Sequence, residues 1–221
     1  MQRFFDIVFS GIALVLLSPL LLPLMFLLRT TGEGEIFFLQ NRVGRKGVHF
    51  KLYKFATMLK DSPHMGTGTV TLHNDPRVLP LGGFLRKTKI NELPQLINIF
   101  KGDMSVIGPR PQTQRCFDAF PIPFQEEIIK VRPGLSGIGS IMFRNEEKMM
   151  HANNNPNKFY DEIVMPYKGS LEKWYVSHQS IINYFIFIGL TIWVILFSNF
   201  KNIHKLYKDL PPVPEELMNW M

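Results

Sequence analysis

The chain has a single cysteine among 221 residues, Cys116, so no intramolecular disulfide can staple it; a reducing compartment fits, and Cys116 receives no role. Acidic residues are also scarce. Eighteen Asp and Glu against 25 Lys and Arg leave a net charge of +7 and a pI near 9.5, which calls for an anionic partner: nucleotide, phospholipid, polyprenyl phosphate or nucleic acid. Nucleic acid is the weakest of these, because zinc-ligand spacing, an aromatic RNA-binding signature and a basic zipper are all missing. The shortage of acid is sharpest between Gly83 and Pro111, where Arg86, Lys87, Lys89, Lys101 and Arg110 surround only Glu92 and Asp103. Such a segment can carry phosphate by charge-assisted hydrogen bonds, and a lone carboxylate within it has its charged form favoured. A solvated basic face is the plain alternative.

What is abundant is apolar sequence. From Ile7 to Leu28 about 22 residues pass without a charge, enough to cross a bilayer as a helix, with Arg3 and Asp6 before and Arg29 after. A signal peptide fits poorly, since the basic start is weak, the run is long and no small-residue cleavage site follows. Ser18-Pro19 and Pro23 fall in mid-run, where proline removes a hydrogen bond and kinks a helix. That leaves a spanning helix and a re-entrant one, with both arginines on the same face, as equal readings. A second run of about 17 residues, Ile181 to Phe197, is short for a span; Tyr184 and Trp193 suit an interface, and Lys201, Lys205 and Lys208 follow. We expect it at the membrane surface, with a span or a core helix as alternatives, and Pro211–Pro214 as a rigid or disordered end.

Between the runs lies an undivided body. Ile36–Leu39 and Val48–Tyr53 read as strands around a turn at Gly44–Gly47. Leu93, Leu96, Ile97 and Phe100 have helical spacing, and Pro94, tolerable only in a first turn, puts the helix start at 90–93. Asn91 and Glu92 then sit at the positive end of a helix dipole. Gly108-Pro109-Arg110-Pro111 and Arg132-Pro133-Gly134 read as stiff turns.

The blocks RVGRKG (42–47), YKFATM (53–58), LRKTKINELPQLINIFKGDMSVIGPRP (85–111) and VRPGLSG (131–137), in this order, resemble the bacterial sugar transferase family, the monotopic phosphoglycosyl transferases. The resemblance covers nearly the whole chain, including the Ser18-Pro19 break, and GDMSVIGPRP is its most specific part. It implies transfer of a sugar-1-phosphate from a UDP-sugar to undecaprenyl phosphate, with release of UMP and use of magnesium. It also implies a re-entrant N-terminal helix that leaves the active site on the cytoplasmic face of the bacterial inner membrane. The family's catalytic Asp-Glu pair falls on Asn91 and Glu92. In that mechanism the aspartate attacks the β-phosphate to form a phosphosugar intermediate, which the lipid phosphate resolves.

Here the chain departs, since Asn91 stands at the nucleophile's position and a carboxamide is a far weaker nucleophile than a carboxylate. Three readings follow: a substitution that traps substrate, a subgroup using Glu92 or direct transfer, or an inactive relative that scaffolds later glycosyltransferases. The resemblance further assigns substrate phosphates to Arg86 and Arg110 beside Pro111, and the nucleotide side to Arg144. Lys54 orients a carboxylate or phosphate, or forms a structural ion pair. Glu92 goes to magnesium or to catalysis, and Glu172 aligns with an acidic family residue as a second metal candidate against a surface charge. Asp103 reads as a cap or a loop hydrogen-bond acceptor rather than a catalyst. The polar loop His151–Phe159 is the place for sugar specificity.

The expected fold is α+β and membrane-associated, with amphipathic interfacial helices and a small β element. Residues 1–29 form a re-entrant helix-break-helix, 30–180 a cytoplasmic-face catalytic domain, and 181–221 an interfacial helix and tail. Expected partners are the UDP-sugar, undecaprenyl phosphate and inner-membrane phospholipid, with no nucleic acid; a homodimer is compatible with the sequence.

Overall fold

The computed structural model of the chain describes residues 1–62, 65, 75–144, 146–151, 155–197 and 203–220. Lys201 and residues 152–154 of the polar loop lie outside this set. The chain forms two compact units, a smaller one of Asp6–Asn41 with Lys51–Lys101, and a larger one of Met1–Phe5, Arg42–Phe50 and Gly102–Met221. Helix and strand are mixed in the chain, as expected of an α+β protein.

The smaller unit takes most of α1 (Gln2–Thr30), 29 residues that extend about 43 Å, longer than the roughly 30 Å hydrocarbon core of a bilayer. It is apolar on nearly every side, with Val15, Leu16 and Phe26 all more than 70% exposed, a pattern that water does not stabilise. Helical backbone continues through Ser18-Pro19, where two helices were expected. Pro19 has no N–H to give to the Val15 carbonyl, and Ser18 Oγ donates to that carbonyl at 2.7 Å instead. Strands β1 (Phe37–Val43) and β2 (His49–Phe55) form a two-stranded sheet. Their short connection makes them antiparallel; each starts one residue later than expected, and β1 runs four and β2 two residues beyond its expected end.

The chain then doubles back on itself. Leu59 N–H donates to the Arg77 carbonyl at 2.9 Å and Leu79 N–H to the Thr57 carbonyl at 3.0 Å. Helix α2 (Gly82–Lys87) starts so close to Thr57 that a β-carbon on Gly82 would overlap the Thr57 carbonyl. Lys89 ends this stretch in the left-handed region, φ 62°. A 3-10 turn, Ile90–Glu92, follows, and α3 (Gln95–Lys101) begins only at residue 95, later than expected. The left-handed exit from α2 requires a tight turn first, so bonds at 90–97 span three residues (Leu93 to Ile90, Leu96 to Leu93, Ile97 to Pro94) rather than four. Asn98, fully buried, fastens α3 to β2 by giving Nδ2–H to the Lys51 carbonyl at 2.8 Å and accepting Tyr53 N–H at 2.9 Å.

In the larger unit, β3 (Ser105–Ile107) leads into α4 (Gln114–Asp118) and α5 (Ile122–Ile128), and β4 (Gly134–Ser136) returns parallel to β3 with Ser105 opposite Gly134 and Ile107 opposite Ser136. Then come α6 (Ile138–Met142), α7 (Glu146–His151), α8 (Pro156–Phe159), a π turn at Tyr160–Val164, and α9 (Met165–Ser177). Helix α9 is the axis of the unit, packed against α5 and α6. Gly169 lets α5 approach, because a β-carbon there would press on Phe120 and Phe124. Helix α10 (Ile181–Phe197) buries Tyr184, Phe187 and Val194 in the core, and Ser136 Oγ lies 2.8 Å from Thr191 Oγ1. Its other face leaves Ile182, Ile195, Leu196 and Phe197 exposed, so it is a core helix on one side and an apolar surface on the other. The short α11 (Ile203–Leu206) opens the tail. Of the two expectations for the tail, rigid or disordered, the ordered one fits: Leu210 and Leu217 are buried in the same core.

Candidate functional site

Asn91 and Glu92 occupy the 3-10 turn of the smaller unit. Ile90 before them and Leu93 after them are packed into the cluster of Leu21, Leu28, Phe55 and Leu85, which joins α1 to β2 and α2. The polar pair is thereby pinned to the apolar helix by both of its neighbours. Asn91 is 8% exposed and its Oδ1 has no hydrogen-bond partner among the described residues; Glu92 is half-buried. Lys89 holds a backbone conformation that costs a non-glycine residue about 1 kcal/mol, so the turn that presents Asn91 is fixed by surrounding packing rather than by local preference.

Two further expected residues share this unit. Arg86 stands in the last turn of α2 with Nη1 3.4 Å from Met58 Sδ, and Lys54 lies half-buried on β2. A buried ion pair lies in the same unit. Asp75 and Arg77, both buried, form a two-pronged ion pair, Nε to Oδ1 at 2.9 Å and Nη2 to Oδ2 at 2.6 Å. The remaining Nη1 donates to the carbonyls of Ser62 and Met65, at 2.7 and 2.8 Å. Arg77 thus ties Ser62, Met65 and Asp75 to one guanidinium, and Val78 beside it bridges to Met58. Asp and Arg two positions apart in NDPR were the available signal.

In the larger unit, Arg110 and Pro111 follow β3. Gly108 lies against the main chain of Arg132–Gly134, and Gly137 against Gly108, so the two proline turns meet backbone to backbone. Gly134 N–H donates to the Pro109 carbonyl at 2.7 Å and Gly108 N–H to the Ser136 carbonyl at 2.9 Å. Pro111 is fixed through its carbonyl, which accepts Arg42 Nη1–H at 3.2 Å. Arg144 is exposed in the turn after α6. A narrow crevice beside Arg110 is lined by Val43, Pro109, Gln112, Phe117, Ile129 and Pro133, among others.

Glu172, on α9, is 1% exposed, and its Oε1 accepts Arg110 N–H at 3.2 Å while Oε2 has no partner among the described residues. Burial pushes its pKa up to about 7, against the opposing pull of the Arg110 N–H and the charges of Lys168 and Arg110. Lys168, one turn earlier, is equally enclosed and pairs with Glu146 at 2.9 Å. Glu172 was expected as a magnesium ligand. Enclosed beside cations, it suits the anchoring of the Arg110 loop rather than contact with a divalent ion. Among the described residues no three His, Cys, Asp or Glu side chains converge as a metal site. The half-buried Glu92 fits a hard cation only where substrate phosphate oxygens complete the shell.

Helix α1 is long and apolar enough to cross a membrane, which together with the net charge of +7 is consistent with association with a membrane. The chain belongs to the bacterial sugar transferase family, whose sequence model matches residues 1–198. It is similar to a UDP-N-acetylgalactosamine-undecaprenyl-phosphate N-acetylgalactosaminephosphotransferase of Aeromonas hydrophila, 41% identical over 143 residues, which cover 64% of this chain and 34% of that protein. It is similar also to the exopolysaccharide production protein ExoY of Rhizobium meliloti, 36% identical over 162 residues, covering 66% of this chain and 70% of ExoY. A UDP-glucose:undecaprenyl-phosphate glucose-1-phosphate transferase of Klebsiella pneumoniae is 36% identical over 144 residues, 63% of this chain and 30% of the relative. The chain thus spans about a third of the Aeromonas and Klebsiella proteins.

Proposed function

We propose that this chain transfers a sugar-1-phosphate from a UDP-sugar to undecaprenyl phosphate, releasing UMP at the cytoplasmic face of the bacterial inner membrane, and so begins assembly of a polysaccharide or glycoconjugate. The observation that carries the reading is the pinning of the Asn91–Glu92 turn, through Ile90 and Leu93, to Leu21 and Leu28 of the apolar helix. A reactive turn held there meets a lipid's phosphate at the membrane surface while its nucleotide partner arrives from water. The names of the relatives agree with that pairing of substrates.

In the reaction a phosphate oxygen attacks the sugar-bearing β-phosphorus, and the bond to the UMP oxygen breaks with its electron pair leaving on UMP. Arg86 and Arg110 hold phosphate oxygens by planar, two-pronged contacts, and Lys54 orients a phosphate or Glu92. Arg144, exposed in its turn, meets the nucleotide. Magnesium, held by Glu92 together with diphosphate oxygens, would neutralise developing charge. With a carboxamide at 91, the covalent carboxylate step is closed at that position, and transfer runs through Glu92 or directly from the lipid phosphate. The re-entrant course of α1 rests on Arg3 and Arg29 at its two ends and the prolines between them.

UMP release from a panel of UDP-sugars, with undecaprenyl phosphate and magnesium, tests the reading in the chain as given and after Asn91→Asp. Release that needs the lipid phosphate supports it; none from either protein sinks it. Asn91 itself favours a second reading, a nucleotide-sugar-binding scaffold, which predicts binding without turnover in both proteins.

A further inference from the structure

The family match ends at residue 198, yet the segment from Ile203 to Trp220 is folded onto the core of the larger unit. Ile203 and Leu217 are fully buried, with Val213 and Trp220 packed beside them. Polar groups fix the same segment. Trp174 Nε1–H donates to Asp209 Oδ2 at 2.8 Å, and His178 Nε2 lies 2.9 Å from that oxygen. Tyr207 Oη donates to Asn183 Oδ1 at 2.8 Å, and its ring stacks on Phe187 with centroids 5.8 Å apart. Farther along, Tyr167 Oη donates to the Pro211 carbonyl at 3.3 Å.

These contacts have a direction. Tyr167 and Trp174 are seven residues apart, so they lie on one face of α9, two turns from each other. Lys168 and Glu172, four apart, share the neighbouring face. The segment therefore grips α9 at both ends of the stretch that carries Glu172, whose carboxylate holds the Arg110 N–H. Tyr167 also meets Phe143 at the end of α6, with ring centroids 6.1 Å apart, so the tail and α6 share this end of α9.

We propose that residues 203–220 are a strap that positions α9, and through Glu172 the Arg110 loop, for substrate binding, with Asp209 and Leu217 as its positioning residues. The proposal rests on the reading of Arg110 as a phosphate binder. Strap and loop are linked through one rigid helix, so loosening the strap is felt at Arg110 as a loss of pre-organisation rather than a loss of chemistry.

The test uses the full chain in phospholipid nanodiscs. Leu217→Glu places a charge at a fully buried position and undocks the strap; Asp209→Ala removes the shared acceptor. Asp209→Asn keeps an oxygen for Trp174, and exposed Lys208→Ala is the control. Hydrogen exchange at residues 165–177 and the split between KM for the UDP-sugar and kcat are measured. The expected result for Leu217→Glu is exchange in α9 faster by about tenfold with α2 and α3 unchanged, and KM raised about tenfold with kcat within about threefold. Asp209→Ala moves both readouts in the same direction by less, and Asp209→Asn recovers part of the difference. Unchanged α9 exchange once the strap's own amides exchange freely overturns the proposal. So does a uniform rise across both units, which reports general destabilisation, or a fall in kcat at constant KM. If Leu217→Glu does not fold, the two Asp209 variants decide. If no UDP-sugar is turned over even after Asn91→Asp, the proposed function fails, and exchange in α9 alone decides the strap.

Discussion

The backbone N–H of Arg110 donates to Oε1 of Glu172 at 3.2 Å, so the Arg110 loop is tethered from within by a carboxylate that burial drives toward its neutral form. The two demands oppose each other. The tether is strongest with Glu172 ionised, and the interior is least costly with it protonated.

That opposition makes stability depend on pH. The carboxyl titrates near 4.5 in the unfolded chain and near 7 in the folded one, so between these values the folded state keeps a proton that the unfolded state has released. Stability from this group is fully present below about pH 4.5 and is lost as pH rises through about 7, at up to about 1.4 kcal/mol per pH unit. Denaturation of the native protein and of Glu172→Gln across this range checks it: the variant's curve should be flatter.

Asn98→Ala should cost roughly 2–4 kcal/mol, since it strands both the Lys51 carbonyl and the Tyr53 N–H, which Asn98 joins. Unfolding free energies measured by denaturant titration report this. A loss below about 0.5 kcal/mol would mean that α3 is held to β2 by packing alone.

Ser18→Ala should lower stability in a bilayer by about 1 kcal/mol, because the Val15 carbonyl loses its donor in a medium that offers no water. Ser18→Thr should retain most of it. Thermal unfolding in nanodiscs separates the two variants, and equal values would show that the carbonyl finds another donor.

Arg77→Lys should behave as a severe change in spite of its conserved charge. One ammonium cannot make two parallel bonds to Asp75 and also reach the carbonyls of Ser62 and Met65. Limited proteolysis should cut at residues 59–62 and 75–79 faster in the variant while leaving α9 resistant.

Much of this was legible in the sequence, for reasons that differ by element. The 22-residue apolar run and the hairpin around Gly44–Gly47 are local patterns, and both elements formed. The start of α3 was misplaced because Pro94 was read as part of the first turn of a helix begun at 90–93. The left-handed Lys89 that forces a separate turn is a lysine, which carries no such signal. The β3–β4 pair escaped because three-residue strands have no period to detect, and its partners lie far apart in sequence. Glu172 could be aligned from sequence, but its place behind Arg110 depends on how α9 packs. The tail's three prolines predicted stiffness or disorder; Leu210 and Leu217, spaced across them, were the sign of docking.

Gly108, Gly134 and Gly137 build their seam from main chain alone. Such a seam has no side-chain chemistry to preserve, so tolerance at these positions is all or none: alanine, aspartate and tryptophan fail alike at the β-carbon. A saturation scan would draw three flat lines there. At position 91, where one atom separates carboxamide from carboxylate, it would draw a steep one.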